Sequence, residues 1–217
     1  MITLTRNAPT PEHTRVIAED FSALLRLGDL VQLVGEMGAG KTTFVRHLAQ
    51  SFGVDPSAVS SPTYVIMNIY PTTRAIGERT PEIAHLDCYR LGDDSELDAL
   101  GWDQIIGNGT IVLIEWPERI AGSIPEDSIR ISIDHVDETS RRFRFEIPEA
   151  FRERAGFDAI VPRPETTCPV TGQRVSGDCL SWPFASERAR MADLNSWFSE
   201  KHVISRPMEE ADLEQGE

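Results

Sequence analysis

The segment Gly35-Glu36-Met37-Gly38-Ala39-Gly40-Lys41-Thr42 sets glycines, a lysine and a hydroxyl at the spacing of a Walker A loop. Each residue type answers a need of phosphate chemistry. Glycines let the main chain wrap a β-phosphate with its N–H groups, the lysine brings a point charge toward the β- and γ-phosphates, and the threonine hydroxyl can ligate magnesium. Magnesium held this way needs a further anchor, a carboxylate at the end of a neighbouring strand. Glu115, closing the apolar run Ile111-Val112-Leu113-Ile114, has that form, and Asp87, closing Ile83-Ala84-His85-Leu86, is a weaker version of it. Beside these acids, His85 reads as a satisfied structural residue and Trp116 as a core residue. The chain has no Asn-Lys-x-Asp segment for reading guanine and no arginine-rich lid of the kind small nucleotide kinases close over their substrates. Nucleotide binding is the direct reading of the loop, and the GTPase and kinase readings weaken.

The loop lies where its chemistry requires, between an apolar strand at 29–34 and a helix whose Phe44, Val45, Leu48 and Phe52 form one stripe. Upstream, "MITLT" predicts an edge strand. Thr10 and Pro11 then read as N-cap and first helical residue, followed by Val16, Ile17, Phe21, Leu24 and Leu25 at helical spacing up to Gly28. Downstream, 63–70, 82–87 and 110–115 are strand-like, with a helix expected over 93–106. The alternations Ile129/Ile131/Ile133 and Phe143/Phe145/Ile147 predict a hairpin buried on one face. Strands interleaved with helices and closed by a hairpin give an α/β fold with a mixed sheet flanked by helices. The character changes near residue 155: residues 156–205 combine a turn-rich stretch with a helical one, and the tail 206–217 carries five acids with no base after Arg206, as a solvating tail would.

A net charge of −14 argues against a surface that coats nucleic acid, because phosphate neutralisation needs clustered Lys and Arg. Any nucleic-acid role is therefore expected to be indirect or confined to a small patch. The N-terminus has no apolar signal core, and no run approaches the roughly 18 apolar residues of a membrane span. A cytoplasmic protein is expected. Cys88, Cys168 and Cys179 are odd in number and unevenly spaced, which predicts free thiols.

"GEMGAGKTTF", "SPTY" at 61–64, "HLDCYRL" at 85–91 and "IEWPERI" at 114–120, in this order and spacing, closely resemble the TsaE family of small bacterial ATPases in tRNA threonylcarbamoyladenosine biosynthesis. The resemblance covers residues 1 to about 150 and implies a P-loop sheet with antiparallel additions. ATP and magnesium are the implied ligands. It further implies a role beside two partners, TsaB and TsaD, which attach the threonylcarbamoyl group to the adenosine flanking the anticodon. Carried onto this chain, Gly35 to Thr42 cradle the triphosphate, Thr43 adds a contact, and Thr14 touches the nucleotide outside the loop. Thr42 and Glu115 hold magnesium, with Asp87 as a supporting metal or water-positioning residue. "SPTY" corresponds to a nucleotide-sensing loop. Arg90 and Arg119 are candidates for an arginine finger but read as surface residues. Without such a group, basal hydrolysis is expected to be slow and to rise when the partner pair docks.

Residues 168–204 resemble a different family, the YacG zinc-ribbon inhibitors of DNA gyrase. The positions of its four ligands fall on Cys168, Thr171, Ala185 and Ala189, so one thiolate remains. Structural zinc wants four Cys or His ligands, and no zinc is expected here. The expectation is a degenerate zinc-ribbon-like scaffold. The alternatives to the main reading are a gyrase-binding inhibitory module carried on a nucleotide-sensing domain, and a small-molecule kinase.

Overall fold

The computed structural model describes residues 1–62, 66–92, 95–98, 101–107 and 109–198. Thr63 and Tyr64 of the "SPTY" segment and the acidic tail 206–217 lie outside the described residues. The chain divides into two compact units between Pro162 and Arg163.

The first unit runs β1 (Ile2–Ala8), α1 (Pro11–Ser22), β2 (Leu30–Val34), α2 (Lys41–Ser51), β3 (Met67–Pro71), β4 (Glu82–Asp87), α3 (Ser95–Asp98), α4 (Trp102–Gly107), β5 (Ile111–Glu115), β6 (Ile129–His135), β7 (Arg141–Ile147) and α5 (Phe157–Ile160). Its seven strands form one sheet in the order β1-β7-β6-β2-β5-β4-β3. The centre, β6-β2-β5-β4, is parallel. Antiparallel partners extend it at both sides, β7 and β1 on one and β3 on the other. This is the mixed α/β sheet that the residue patterns predict, with the antiparallel additions that the family resemblance implies, and β1 is an edge strand.

Period-two alternation decides which face each strand gives to the core. Val31, Leu33, Leu113, Ile131, Ile133, Phe143 and Phe145 face Ile17 and Phe21 of α1 and Phe44 and Leu48 of α2 in the main core. Phe44 packs at ring-centroid distances of 6.0 Å from Phe21 and 5.4 Å from Phe143, joining helix α2 to both helix α1 and the hairpin. A second cluster on the opposite face gathers Leu30, Leu86, Val112 and Ile114 with Leu97 and Trp102.

Local structure departs from the periodicity in three places. Helix α1 stops at Ser22 rather than running to Gly28, because the Arg26 guanidinium takes the carbonyls of Ala23, Leu24 and Leu25 while Asp29 accepts the Arg26 N–H. Leu24 and Leu25 still reach the core from that turn. The helix expected over 93–106 is two short ones, parted at Gly101, whose φ of 73° no continuing helix adopts. The strand expected from residue 63 begins at Met67, since Ile66 has φ of 64°. Thr10 does occupy the N-cap position, but its hydroxyl meets His13 Nδ1 at 2.7 Å instead of a helix N–H.

The second unit holds a small hairpin, β8 (Thr166–Thr167) with β9 (Arg174–Val175), and helix α6 (Glu187–Phe198). Cys168, Val175 and Ala189 form its buried cluster, with Trp182 and Phe184 packed against them. Met191, Leu194, Trp197 and Phe198 are exposed, so Ala189 and not the large apolar residues of α6 enters that cluster.

Candidate nucleotide site

The site lies at the C-terminal end of the parallel strands, where open α/β sheets bind their ligands. Strand β2 ends at Val34 and the chain turns through the loop into α2, whose first residues are Lys41 and Thr42. Gly35 is required by space: a Cβ there would stand 2.5 Å from the backbone oxygen of Ile133. Gly40, with φ of 105°, supplies the left-handed step into the helix and accepts the N–H of Phe44.

Lys41 is buried. Its Nζ donates to the carbonyls of Gly35 at 2.8 Å and Glu36 at 3.0 Å and lies 4.1 Å from the centroid of the Trp116 ring. Burial lowers its pKa from the usual 10.5, against the opposing pull of Glu115, Asp87 and Glu118. Parallel pairing of β4 with β5 sets Asp87 directly beside Glu115. Both carboxylates are buried. The Thr42 hydroxyl donates to Glu115 Oε1 at 2.7 Å. Asp87 accepts the Ser61 hydroxyl at 2.9 Å and the Tyr89 N–H at 3.1 Å. Trp116, with φ of 59°, turns the chain sharply after Glu115 and packs on Tyr89 at 5.0 Å. Together these groups line a cleft of about 350 Å³.

The expected site residues therefore fall on two sides of the loop. Met37, Gly38, Lys41, Thr42, Asp87 and Glu115 line the larger cleft, along with Arg90. Thr14, Gly38, Ala39, Gly40 and Thr43 line a second pocket of about 170 Å³. Glu36 faces neither, lining a separate depression with Ile133, Asp134 and His135. Arg119 is exposed and does not line either cleft.

Two residues to which the sequence reading gave no part in the site contribute to this arrangement. Arg141 donates from Nε to Ala39 O at 2.9 Å and from Nη1 to the carbonyls of Asp137, Glu138 and Ser140. It ties the tip of the β6–β7 hairpin to the loop, and nothing local in its sequence announces that. His85 is fully buried, with Nε2 3.0 Å from Glu115 Oε1 and, among the described residues, no partner at Nδ1. It is thus not the satisfied residue expected. Its place two residues before Asp87 on one strand was the available signal, since period two puts both on one face.

The donor set suits magnesium, a hard cation that takes oxygen ligands: the Thr42 hydroxyl and the Glu115 and Asp87 carboxylates are all oxygen donors. A family model described as threonylcarbamoyl adenosine biosynthesis protein TsaE matches residues 8–143. The chain belongs to the TsaE family. TsaE of Streptomyces coelicolor is 41% identical over 123 residues, covering 56% of this chain and 79% of the relative. TsaE of Aquifex aeolicus is 37% identical over 134 residues, covering 61% and 88%. The crystal structure of YdiB from Bacillus subtilis superposes with a TM-score of 0.54 at 24% identity, over 70% of this chain and 90% of that one, which bears on the fold alone. The TsaE-family unit has the P-loop NTPase fold, and a second family model, DNA gyrase inhibitor YacG, matches residues 166–215.

Of the positions that the sequence resemblance sets against zinc ligands, Cys168 and Ala189 are buried beside the partly buried Ala185. Burial raises the Cys168 thiol, but the Thr171 hydroxyl and the N–H groups of Ala185, Thr171 and Val170 outweigh it and bring it down to about 7. All three cysteines are free. No described helix is long and apolar enough to cross a membrane.

Proposed function

We propose that this TsaE-family chain binds ATP with magnesium in the loop cleft and hydrolyses it slowly, as an accessory to threonylcarbamoyl modification of the tRNA adenosine next to the anticodon. The observation that carries the reading is the convergence of Lys41, Thr42, Asp87 and Glu115 on one cleft at the end of the parallel strands. Phosphoryl transfer asks a protein for charge neutralisation and in-line positioning more than for covalent chemistry. The backbone N–H groups from Gly35 to Thr42 and the ammonium of Lys41 answer the first need. Glu115 and Thr42 would hold magnesium, which supplies charge neutralisation at the β- and γ-phosphate oxygens when bound. Asp87, fixed by Ser61 and the Tyr89 N–H, is placed to orient water or a metal-bound ligand. Thr14 and Thr43, in the second pocket, take the part of the nucleotide beyond the phosphates.

Arg90 lines the cleft, yet it is exposed, and among the described residues no arginine is buried in that cleft. Slow hydrolysis in isolation follows, since an arginine supplied to such a site accelerates turnover by about 10³–10⁵. We assign that stimulation to a TsaB–TsaD-like pair, with tRNA engaged only through those partners. The test is reconstituted tRNA modification with the chain and with Lys41→Ala. Multiple turnover should require the chain and vanish with the variant; turnover that is equal with both refutes the reading. In the second unit, we propose a degenerate ribbon that holds no zinc and serves as a scaffold.

A further inference from the structure

Glu115 is gripped at one oxygen from two elements. Thr42 donates to Oε1 from α2 at 2.7 Å, and the His85 ring meets the same atom from β4 at 3.0 Å. A carboxylate only accepts hydrogen bonds, so His85 Nε2 carries the proton in this contact. The other ring nitrogen, Nδ1, is buried and has no partner among the described residues. Buried polar atoms without a partner are rare and call for a reason. His85 stands among the buried apolar residues Ile83, Ala84 and Leu86 and opposite Leu113 of β5, with Asp87 the other buried polar residue of its strand. An apolar side chain would fill that space without an orphaned nitrogen. What the imidazole adds, and no hydrocarbon can, is the Nε2–H on Glu115.

We propose that His85 is a positioning residue that fixes the Glu115 carboxylate for the divalent cation. The inference rests on the reading of this cleft as a magnesium–nucleotide site and names a residue that the sequence motif alone left as structural. Groups that orient a metal-binding carboxylate affect metal affinity by about 10- to 100-fold when lost. Thr42 alone cannot replace the contact, because a single hydrogen bond at Oε1 leaves the carboxylate free to rotate about it. Asp87 is anchored separately, by Ser61 and the Tyr89 N–H, so loss of His85 should act through Glu115 alone.

The test is calorimetric binding of a non-hydrolysable ATP analogue to the full chain, first in excess chelator and then at increasing magnesium. His85→Leu is expected to bind the analogue in chelator as the unmodified chain does, yet to need about 10-fold more magnesium for the tightened state. His85→Gln, whose amide nitrogen reaches the place of Nε2–H, should titrate like the unmodified chain. An unshifted magnesium midpoint in His85→Leu overturns the proposal. So does a loss of affinity in chelator as large as the loss in magnesium, which marks a purely structural role. If the leucine variant does not fold, His85→Asn takes its place, since the shorter amide cannot span to Oε1, and an unshifted midpoint is again decisive against the proposal. An unmodified chain whose binding ignores magnesium would instead bring down the magnesium reading itself.

Discussion

Lys41 carries its charge where burial disfavours it. Its pKa in the fold lies below the ordinary 10.5 because desolvation outweighs the nearby carboxylates. In the window between those two values the unfolded chain binds more protons than the folded one, so stability should rise with pH there. The penalty is complete below the folded pKa and disappears as pH rises to 10.5. Denaturant unfolding of the chain and of Lys41→Met should therefore show the lysine protein gaining on the variant as pH rises through the window that ends at 10.5. A difference that stays flat would show that burial is not the dominant influence. Lys41, Thr42 and the two acids were legible in the sequence because their types and spacing are local. His85 and Arg141 were not, because their partners lie 30 and 102 residues away and only the strand register brings them together.

Among the elements, strand β2, the loop and helix α2 act as one piece that aims the phosphate site. Gly35 joins the loop to β6 so closely that a methyl group would strike the Ile133 carbonyl, which is backbone and cannot rotate away. Gly35→Ala should lower stability by about 1–3 kcal/mol, as overpacking does, and weaken nucleotide binding in equilibrium titration because the displaced loop misdirects its N–H groups. Binding equal to that of the unmodified chain would show that the loop absorbs the methyl group without moving. Helix α2 is fixed from its other side by Phe44, wedged between Phe21 and Phe143. Phe44→Ala should cost about 3–5 kcal/mol in denaturant unfolding, the usual range for a fully buried aromatic. A loss below about 1 kcal/mol would mean the core refills around it. Most of these elements were legible from periodicity and turn residues, which are local signals. Strand order was not, since nothing along the chain states that β7 lies between β1 and β6. The break at Gly101 and the early end of α1 also escaped, because a single positive φ and a guanidinium capping three carbonyls leave the apolar spacing unchanged.

At the scale of the molecule, each unit makes its own claim. In the second, the thiol of Cys168 is satisfied by hydrogen bonds at a position that the sequence resemblance sets against a metal ligand, with Thr171, Ala185 and Ala189 at the other three. Purified chain should therefore contain far less than one equivalent of zinc by elemental analysis, and a full tightly bound equivalent would refute the scaffold reading. For the first unit, the question is where it ends. All proposed nucleotide and metal contacts lie between Thr14 and Glu115, but the core that supports them is closed much later in the chain, by Phe151, Phe157 and Ile160. Arg154 strengthens that closure with its 2.6 Å contact to the buried Asp29, and Arg26 adds a 2.7 Å bond to Ala155 O. A chain cut after Pro162 keeps this whole seal and should bind a non-hydrolysable ATP analogue as tightly as the full protein. A chain cut after Ala155 keeps the ion pair but loses Phe157 and Ile160, and with them about 3–5 kcal/mol of buried apolar surface. That is a large share of a typical domain's net stability, so the shorter piece should unfold at markedly lower denaturant. Equal stability of the two truncations would show that α5 only rests on the core; loss of nucleotide binding in the longer one would show that the site depends on residues beyond 162.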